Sequence, residues 1–178
     1  MQSKLIISIS KIQKNWELIN QKSNFKASAV IKANGYGFGM EKIAYSLINK
    51  GCNFFYLAQL EEAIRLKKKI KNKKFEVAVF EGMIYEPIDY IKNDIIPILN
   101  NSKQLHKFNN YNSQKLNRTL KAILHVDTGM NRLGFEEQEL LDIKLDNKII
   151  DPHNIIYLMS HLSHSNVTNS LRNKSQLY

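Results

Sequence analysis

The stretch Phe54-Phe55-Tyr56-Leu57-Ala58-Gln59-Leu60-Glu61-Glu62-Ala63-Ile64-Arg65-Leu66-Lys67-Lys68-Lys69-Ile70 decides the fold. It opens with an apolar run that lacks polar alternation, as in a parallel strand covered on both faces. It continues with apolar residues at helical spacing and ends in lysines, which suit the negative end of a helix dipole. The stretch therefore predicts one unit of strand followed by helix, the inner face of the helix carrying Leu60, Ala63, Ile64 and Leu66.

The same unit recurs along the chain. Apolar runs predict strands at Ala27–Ile31, Phe54–Ala58, Val77–Phe80, Ile95–Leu99, Leu120–Val126 and Ile155–Met159. Helical patterns lie at Ser10–Lys22, Glu41–Lys50, Leu60–Ile70 and Glu136–Lys144. In the first helix we expect Ser10 as N-cap, with Ile12, Trp16 and Ile19 facing inward. Repeated strand–helix units predict a parallel α/β fold, either an open doubly wound sheet or a (β/α)8 barrel.

Composition excludes several classes of protein. The chain has 178 residues, a net charge of +10, 43% hydrophobic residues and one cysteine. It can build a core, but it has no internal disulfide, no cluster with zinc-ligand spacing and no apolar run of ~18 residues to span a membrane. Lysine supplies 22 of the 26 basic residues and is spread along the chain, which favours a basic surface over a nucleic-acid site. We therefore expect a cytoplasmic protein with no metal, nucleic-acid or membrane partner.

Chemically distinctive residues follow three of the predicted strands. Lys32 precedes a glycine-rich turn, where it is either an amine nucleophile or a lysine that reaches solvent. Arg132 lies in Asp127–Phe135, where it either binds a carboxylate or phenolate or stays solvated. His161 follows the sixth strand, and its neighbour His164 is only a weak indication of a metal site. Residues at the carboxyl ends of strands favour the barrel, and no Gly-x-Gly-x-x-Gly supports the doubly wound sheet.

Together these segments resemble the N-terminal domain of alanine racemase, a pyridoxal-phosphate (PLP) enzyme. The matching motifs follow the family's order through nearly the whole chain, at Ala29–Gly39, Phe55–Leu66, Asp127–Phe135 and Met159–Leu162. The resemblance implies an incomplete (β/α)8 TIM-type barrel with about six of its eight strands. Residues 1–178 would be the N-terminal part of the PLP-binding barrel domain, and the family's C-terminal β-domain would be absent.

The resemblance also implies roles for four residues. Lys32 would hold PLP covalently and serve as one acid–base group, and Tyr36 would contact the phosphate. Arg132 would hydrogen-bond the phenolic oxygen of the cofactor and help to position the substrate carboxylate. His161 would lie against the pyridine ring or its supporting network. The implied activity is conversion of the small molecule L-alanine to D-alanine for peptidoglycan.

Two features depart from the family's pattern. His125 occupies the position of a lysine, commonly carbamylated, that steadies the arginine, so Arg132 must have a different setting here. The second catalytic base, a tyrosine that acts across a dimer interface, has no match. We therefore expect an N-terminal fragment or split-gene product, inactive alone, that needs a complementing C-terminal fragment or a homodimer partner. The alternatives are a single-domain PLP carrier, a non-functional truncated product and, more distantly, a decarboxylase of the same fold.

Overall fold

The computed structural model describes residues 3–114, 118–145 and 154–177. The chain divides into two compact units. The first contains the residues up to Phe80 together with Asn93–Ile95, and the second contains Glu81–Lys92 and the residues from Ile96 onward. Both units are built from strand–helix repeats.

The first unit surrounds the stretch that predicts the fold. Its elements are α1 (Ile9–Lys22), β1 (Ala29–Val30), α2 (Lys32–Tyr36), α3 (Met40–Ile48), β2 (Phe54–Leu57), α4 (Leu60–Lys69) and β3 (Glu76–Val79). The three strands pair in parallel with β2 in the middle, so that Phe55 lies opposite Ala29 on one side and Val77 on the other. Phe55 and Leu57 are fully buried, which explains why this run carries no polar alternation.

The second unit repeats the arrangement. Its elements are α5 (Pro87–Asn93, of which Asn93 belongs to the first unit), β4 (Ile96–Leu99), α6 (Ser102–Asn112), β5 (Ala122–His125), α7 (Glu137–Leu145), β6 (Ile155–Met159) and α8 (Leu171–Ser175). The strands are again parallel, and Ile123 of β5 lies opposite Ile98 of β4 and Tyr157 of β6. Every residue of β4 and β5 is buried, whereas Tyr157 and Leu158 of β6 are 54% and 74% exposed.

The predicted fold class is confirmed, since six parallel strands alternate with helices as in six of the eight repeats of a (β/α)8 barrel. Each predicted strand is present with its ends shifted by at most two residues. The four predicted helices are also present, as α1, α3, α4 and α7. No described helix combines the length and the apolar character needed to cross a bilayer.

Two details predicted for α1 are wrong. The helix begins at Ile9, so Ser8 rather than Ser10 holds the N-cap position, and the Ser10 hydroxyl lies 3.1 Å from that of Ser8. Ile19 is 57% exposed. The inner face of α1 is narrower than its apolar spacing predicts, because Trp16 is the one buried residue of the helix while Ile12 is half-buried.

Candidate functional site

Lys32 begins a helical turn of the opposite hand to an ordinary α-helix. Ala33, Asn34, Gly35 and Tyr36 have φ angles of 52°, 54°, 66° and 55°, which lie in the left-handed region. L-residues pay roughly 1–2 kcal/mol each for this hand. Strain of this kind persists where neighbouring contacts hold it, and it is concentrated at functional sites. We call residues 33–36 the left-handed turn.

Gly35 is favoured in the left-handed turn chiefly by packing, since Ala33, Asn34 and Tyr36 adopt similar φ angles with side chains. A Cβ atom at this position would lie 2.8 Å from Cδ1 of Ile43 and 3.1 Å from the backbone nitrogen of Met40. Both residues belong to α3, which therefore packs directly against the backbone of the turn. A larger residue would displace the end of the Ile43 side chain and crowd the backbone of Met40.

The Lys32 amine lies beside a wall of aromatic rings. Its Nζ is 5.1 Å from the centre of the Phe80 ring, within the range of a cation–π interaction. Phe80 stacks on Tyr56, with ring centres 5.6 Å apart and planes inclined by 26°. Tyr36 stands at the other end of the left-handed turn and is 58% exposed. The first unit thus carries an amine directly before the left-handed turn and a phenol at its end, and the amine lies next to flat apolar surfaces.

In the second unit, Asp127 organises residues 127–135, which we call the Arg132 loop. Its Oδ1 accepts hydrogen bonds from the backbone N–H groups of Gly129, Met130 and Asn131 at 2.8–3.0 Å, and its Oδ2 accepts one from the N–H of Arg132 at 2.9 Å. Partial desolvation raises the pKa of Asp127, but these four donors outweigh it and hold the pKa below its ordinary value of 3.8. The carboxylate therefore fixes the backbone of the Arg132 loop.

The two ends of this loop are joined to each other. Asp127 N–H donates to the Phe135 carbonyl at 2.9 Å, and Phe135 N–H donates to the His125 carbonyl at 2.7 Å. Gly134 makes this closure possible, because a Cβ there would lie 2.8 Å from the Asp127 nitrogen. Arg132 extends from the closed loop as an exposed side chain, free to meet an anionic group.

His161 lies two residues beyond β6, in a segment tied to the Arg132 loop. Its Nδ1 is 2.8 Å from the Leu162 carbonyl, and the hydroxyls of Thr128 and Ser160 are 2.7 Å apart. Gln176, just after α8, donates to both the His161 carbonyl (3.0 Å) and Thr128 Oγ1 (3.2 Å). Sequence reasoning missed Gln176, since nothing in a short exposed helix marks one glutamine as a link between two loops.

His125 is a buried polar residue under the Arg132 loop. Its Nδ1 lies 2.9 Å from Oδ1 of Asn100, whose Nδ2 donates to the Ile98 carbonyl. This orientation of the amide presents an acceptor to the ring, so Nδ1 carries the proton. Burial lowers the pKa of His125 below 6.5; the Asp127 carboxylate opposes this shift, while Arg132 and His161 add to it. The imidazole is therefore a neutral hydrogen-bond donor, where the family pattern has a lysine.

The four predicted site residues thus fall into two pairs. Lys32 directly precedes the left-handed turn of the first unit and Tyr36 ends it, whereas Arg132 and His161 extend from neighbouring loops of the second. His164 makes its own contacts to Ser163 and Asn173. Within the part of the chain that the structure describes, no three His, Cys, Asp or Glu side chains are grouped closely enough to hold a metal ion.

Comparison with known proteins identifies relatives along almost the whole chain. The family model described as "Alanine racemase, N-terminal domain" matches residues 7–177. Alanine racemase from Rickettsia prowazekii is 32% identical over 97% of this chain and 43% of its own length. The enzyme from Rickettsia akari is also 32% identical, over 97% of this chain and 49% of its own length. The chain therefore spans about half the length of the curated relatives it matches.

Solved structures agree with these relatives. Alanine racemase from Bartonella henselae, described with covalently bound pyridoxal phosphate, is 32% identical and superposes with a TM-score of 0.86, covering 96% of this chain and 48% of its own. A histidine racemase from Leuconostoc mesenteroides, 22% identical with a TM-score of 0.77 over 96% of this chain and 46% of its own, shares the fold. The chain belongs to the alanine racemase N-terminal domain family.

Proposed function

We propose that this chain provides the PLP-binding half of an amino-acid racemase that converts L-alanine to D-alanine. The observation that carries the proposal is the Lys32 amine, just beyond β1, beside the Phe80 ring and directly before a strained turn. A positioned amine next to flat rings suits a cofactor that combines an aldehyde with a planar pyridine. The relative from Bartonella henselae is described with this cofactor bound covalently.

The residues of the first unit would bind the cofactor and handle one proton. Lys32 would supply the amine that holds PLP and would move a proton at Cα of the substrate on one face. Tyr36, exposed at the end of the left-handed turn, would donate a hydrogen bond from its hydroxyl to the phosphate. PLP, when bound, stabilises the negative charge left at Cα when that proton is removed.

The residues of the second unit would orient the cofactor and substrate. Arg132, on a loop fixed by Asp127, would present its guanidinium to the phenolic oxygen of PLP and to the substrate carboxylate. His161 would lie against the pyridine ring. His125, neutral and buried, would stay hydrogen-bonded to Asn100 under the loop without adding a cation beside Arg132.

Racemisation needs a second base on the opposite face, and we propose that it comes from a partner. The partner would be a complementing C-terminal fragment or the other subunit of a homodimer, and without it the chain would be inactive. The D-alanine produced would serve peptidoglycan synthesis. We place this reaction in the cytoplasm, and the free, buried thiol of Cys52 is consistent with a reducing compartment.

The proposal is tested by cofactor titration of the purified chain. We expect wild type to gain a visible absorbance with PLP, and borohydride trapping followed by mass spectrometry to locate the label on Lys32. Lys32→Ala should lose both signals. Lys42→Ala, which removes an exposed lysine from α3, should retain them. A folded wild-type chain that forms no Lys32-dependent adduct would refute the cofactor role.

Activity assays distinguish the remaining alternatives. The chain should racemise L-alanine only when it is mixed with the C-terminal half of a relative such as the Rickettsia prowazekii enzyme, and L-histidine serves as the competing substrate. Covalent PLP without racemisation under any condition would favour a carrier. Absence of both a PLP adduct and cooperative unfolding would favour a non-functional product.

A further inference from the structure

Glu62, in the first turn of α4, accepts two hydrogen bonds, one next to the start of its own helix and one from a distant part of the chain. Its Oε2 accepts a hydrogen bond from the Ala58 N–H at 3.0 Å. This bond satisfies a backbone donor just before the helix, as acidic residues in a first turn commonly do. Its Oε1 accepts a second bond, at 3.1 Å, from the N–H of Asn34. Asn34 lies 28 residues earlier, in the middle of the left-handed turn.

The Asn34 side chain accepts hydrogen bonds from α3 and from α4, the helix that carries Glu62. Its Oδ1 accepts hydrogen bonds from the Met40 N–H at 3.2 Å and from Nη2 of Arg65 at 3.3 Å. Arg65 is in turn oriented by Glu41, whose carboxylate lies 3.1 Å from its Nε. The side chains of Glu62 and Arg65, both on α4, thus hydrogen-bond to the backbone and to the side chain of Asn34.

These contacts explain how a strained turn keeps its hand. The turn contains three residues other than glycine, Ala33, Asn34 and Tyr36, all in a conformation that L-residues disfavour. Only Asn34 and Gly35 are of the types that adopt this backbone readily, whereas Ala33 and Tyr36 disfavour it. A carboxylate that accepts from a backbone N–H forms a charge-assisted bond, stronger than a neutral one. The Glu62 bond thus adds a restraint from α4 to the packing of α3 on Gly35 and to the turn's own backbone hydrogen bonds.

We infer that Glu62 is a positioning residue, which holds the left-handed turn in place and thereby sets where Lys32 and Tyr36 point. The inference rests on the proposed function for its meaning in catalysis. The hold on the turn itself can be measured without cofactor.

The first measurement is amide hydrogen exchange in the full chain without cofactor. In Glu62→Gln the carboxamide can accept from one backbone N–H but presents its own donor to the other. We expect exchange within residues 33–36 to accelerate about ten-fold or more, the usual consequence of losing a hydrogen bond to a charged group. The matched control is Glu61→Gln, which removes the same charge from the same first turn of α4 and should leave these amides unchanged.

The second measurement is titration of the same variants with PLP. We expect Glu62→Gln to need about ten times more PLP than wild type or Glu61→Gln for half-maximal visible absorbance. Thermal unfolding without cofactor should separate the two variants little, so that weak binding cannot be ascribed to lost stability. Glu62→Asp, whose shorter carboxylate still accepts from one donor, should fall between wild type and Glu62→Gln.

Each outcome has a distinct meaning. Unchanged exchange at residues 33–36 in Glu62→Gln would overturn the inference, whatever the cofactor does. Accelerated exchange with unaltered PLP affinity would also overturn it, because the turn would then not position Lys32. If wild type forms no Lys32 adduct, the proposed function fails, and the exchange result alone decides whether Glu62 holds the turn.

Discussion

At the scale of single residues, two glycines of the Arg132 loop separate backbone strain from steric exclusion. Gly129 and Gly134 have nearly equal φ angles, 124° and 118°. Among the described residues, a Cβ at Gly129 would meet only Cγ of Gln176, at 3.5 Å, whereas one at Gly134 would press on three backbone atoms within about 3 Å. The two positions thus share the same backbone cost and differ in the space available.

We predict that Gly134→Ala destabilises the chain more than Gly129→Ala does. Both variants pay for an unfavourable φ, and Gly134→Ala should cost a further ~1–3 kcal/mol because the loop can no longer close. Urea unfolding of the two variants side by side measures the difference. Equal losses would mean that φ alone, and not the close approach of the Asp127 nitrogen, makes Gly134 necessary.

His125 gives a prediction about pH. Its folded-state pKa lies below the ordinary 6.5, so the unfolded chain takes up this proton first as the pH falls. His125 therefore contributes its full stabilisation at pH values above about 6.5. At lower pH this stabilisation is lost, and the free energy of unfolding falls by up to ~1.4 kcal/mol per pH unit until the folded-state pKa is reached. Urea unfolding between about pH 7.5 and pH 5 should show this decline.

The slope is assigned to His125 by comparing two variants. His125→Gln should flatten the decline in that range, whereas His106→Gln, at an exposed position of α6, should leave it as in wild type. A decline that persists in His125→Gln would point to other histidines.

The sequence predicts these residues unevenly. Lys32 and Arg132 stand out because chemically distinctive residues end apolar runs. The left-handed backbone at Ala33 and Asn34 could not be predicted from the sequence, because neither side chain requires a positive φ. The partner of His125, Asn100, lies 25 residues away and is adjacent only once β4 and β5 pair.

At the scale of elements, burial explains which could be predicted. Strands such as β2 and β4 are covered on both faces, so each appears as an uninterrupted apolar run. Helix α6 is rich in asparagine and buries only Leu105 and Phe108, and α8 buries no residue. Such helices leave almost no apolar periodicity to detect.

Helix α5 illustrates how one side chain anchors an element of this kind. Tyr90 is fully buried, and its hydroxyl donates to the Gly82 carbonyl at 2.8 Å while accepting from the N–H groups of Ile84 (3.1 Å) and Tyr85 (3.4 Å). Burial raises the pKa of Tyr90 to about 12. The hydroxyl therefore stays protonated and holds the segment before α5 to the helix.

We predict that Tyr90→Phe costs ~1–3 kcal/mol, since the Gly82 carbonyl and the Ile84 N–H lose their shared partner. Tyr111→Phe in α6, where the ring is half-buried, should change stability by less than ~0.5 kcal/mol. Chemical denaturation measures both. A Tyr90→Phe variant as stable as wild type would show that solvent replaces the hydroxyl without cost.

At the scale of the whole molecule, β6 is the strand least protected from solvent. In the part of the chain described, β6 pairs only with β5, and Leu158 is 74% exposed. An apolar strand whose large side chains are exposed to solvent is a recognised site of self-association. The isolated chain should therefore aggregate through β6.

We predict that Leu158→Glu reduces aggregation and binding of a hydrophobic dye, with stability changed by less than ~0.5 kcal/mol. Leu177→Glu is the matched control, because Leu177 is 71% exposed but lies outside any strand. Light scattering and dye fluorescence at equal protein concentration compare the two. Equal improvement in both variants would attribute the effect to added charge rather than to the strand edge.

The left-handed turn has a consequence for chemical synthesis. Its backbone angles are those that mirror-image amino acids adopt without strain, because reversing the configuration at Cα reverses the preferred hand. A chain assembled by peptide ligation with the D-enantiomer of alanine at position 33 would relieve the strain that the natural residue bears at φ 52°. Ribosomal synthesis, confined to L-residues, leaves this turn dependent on the contacts that surround it.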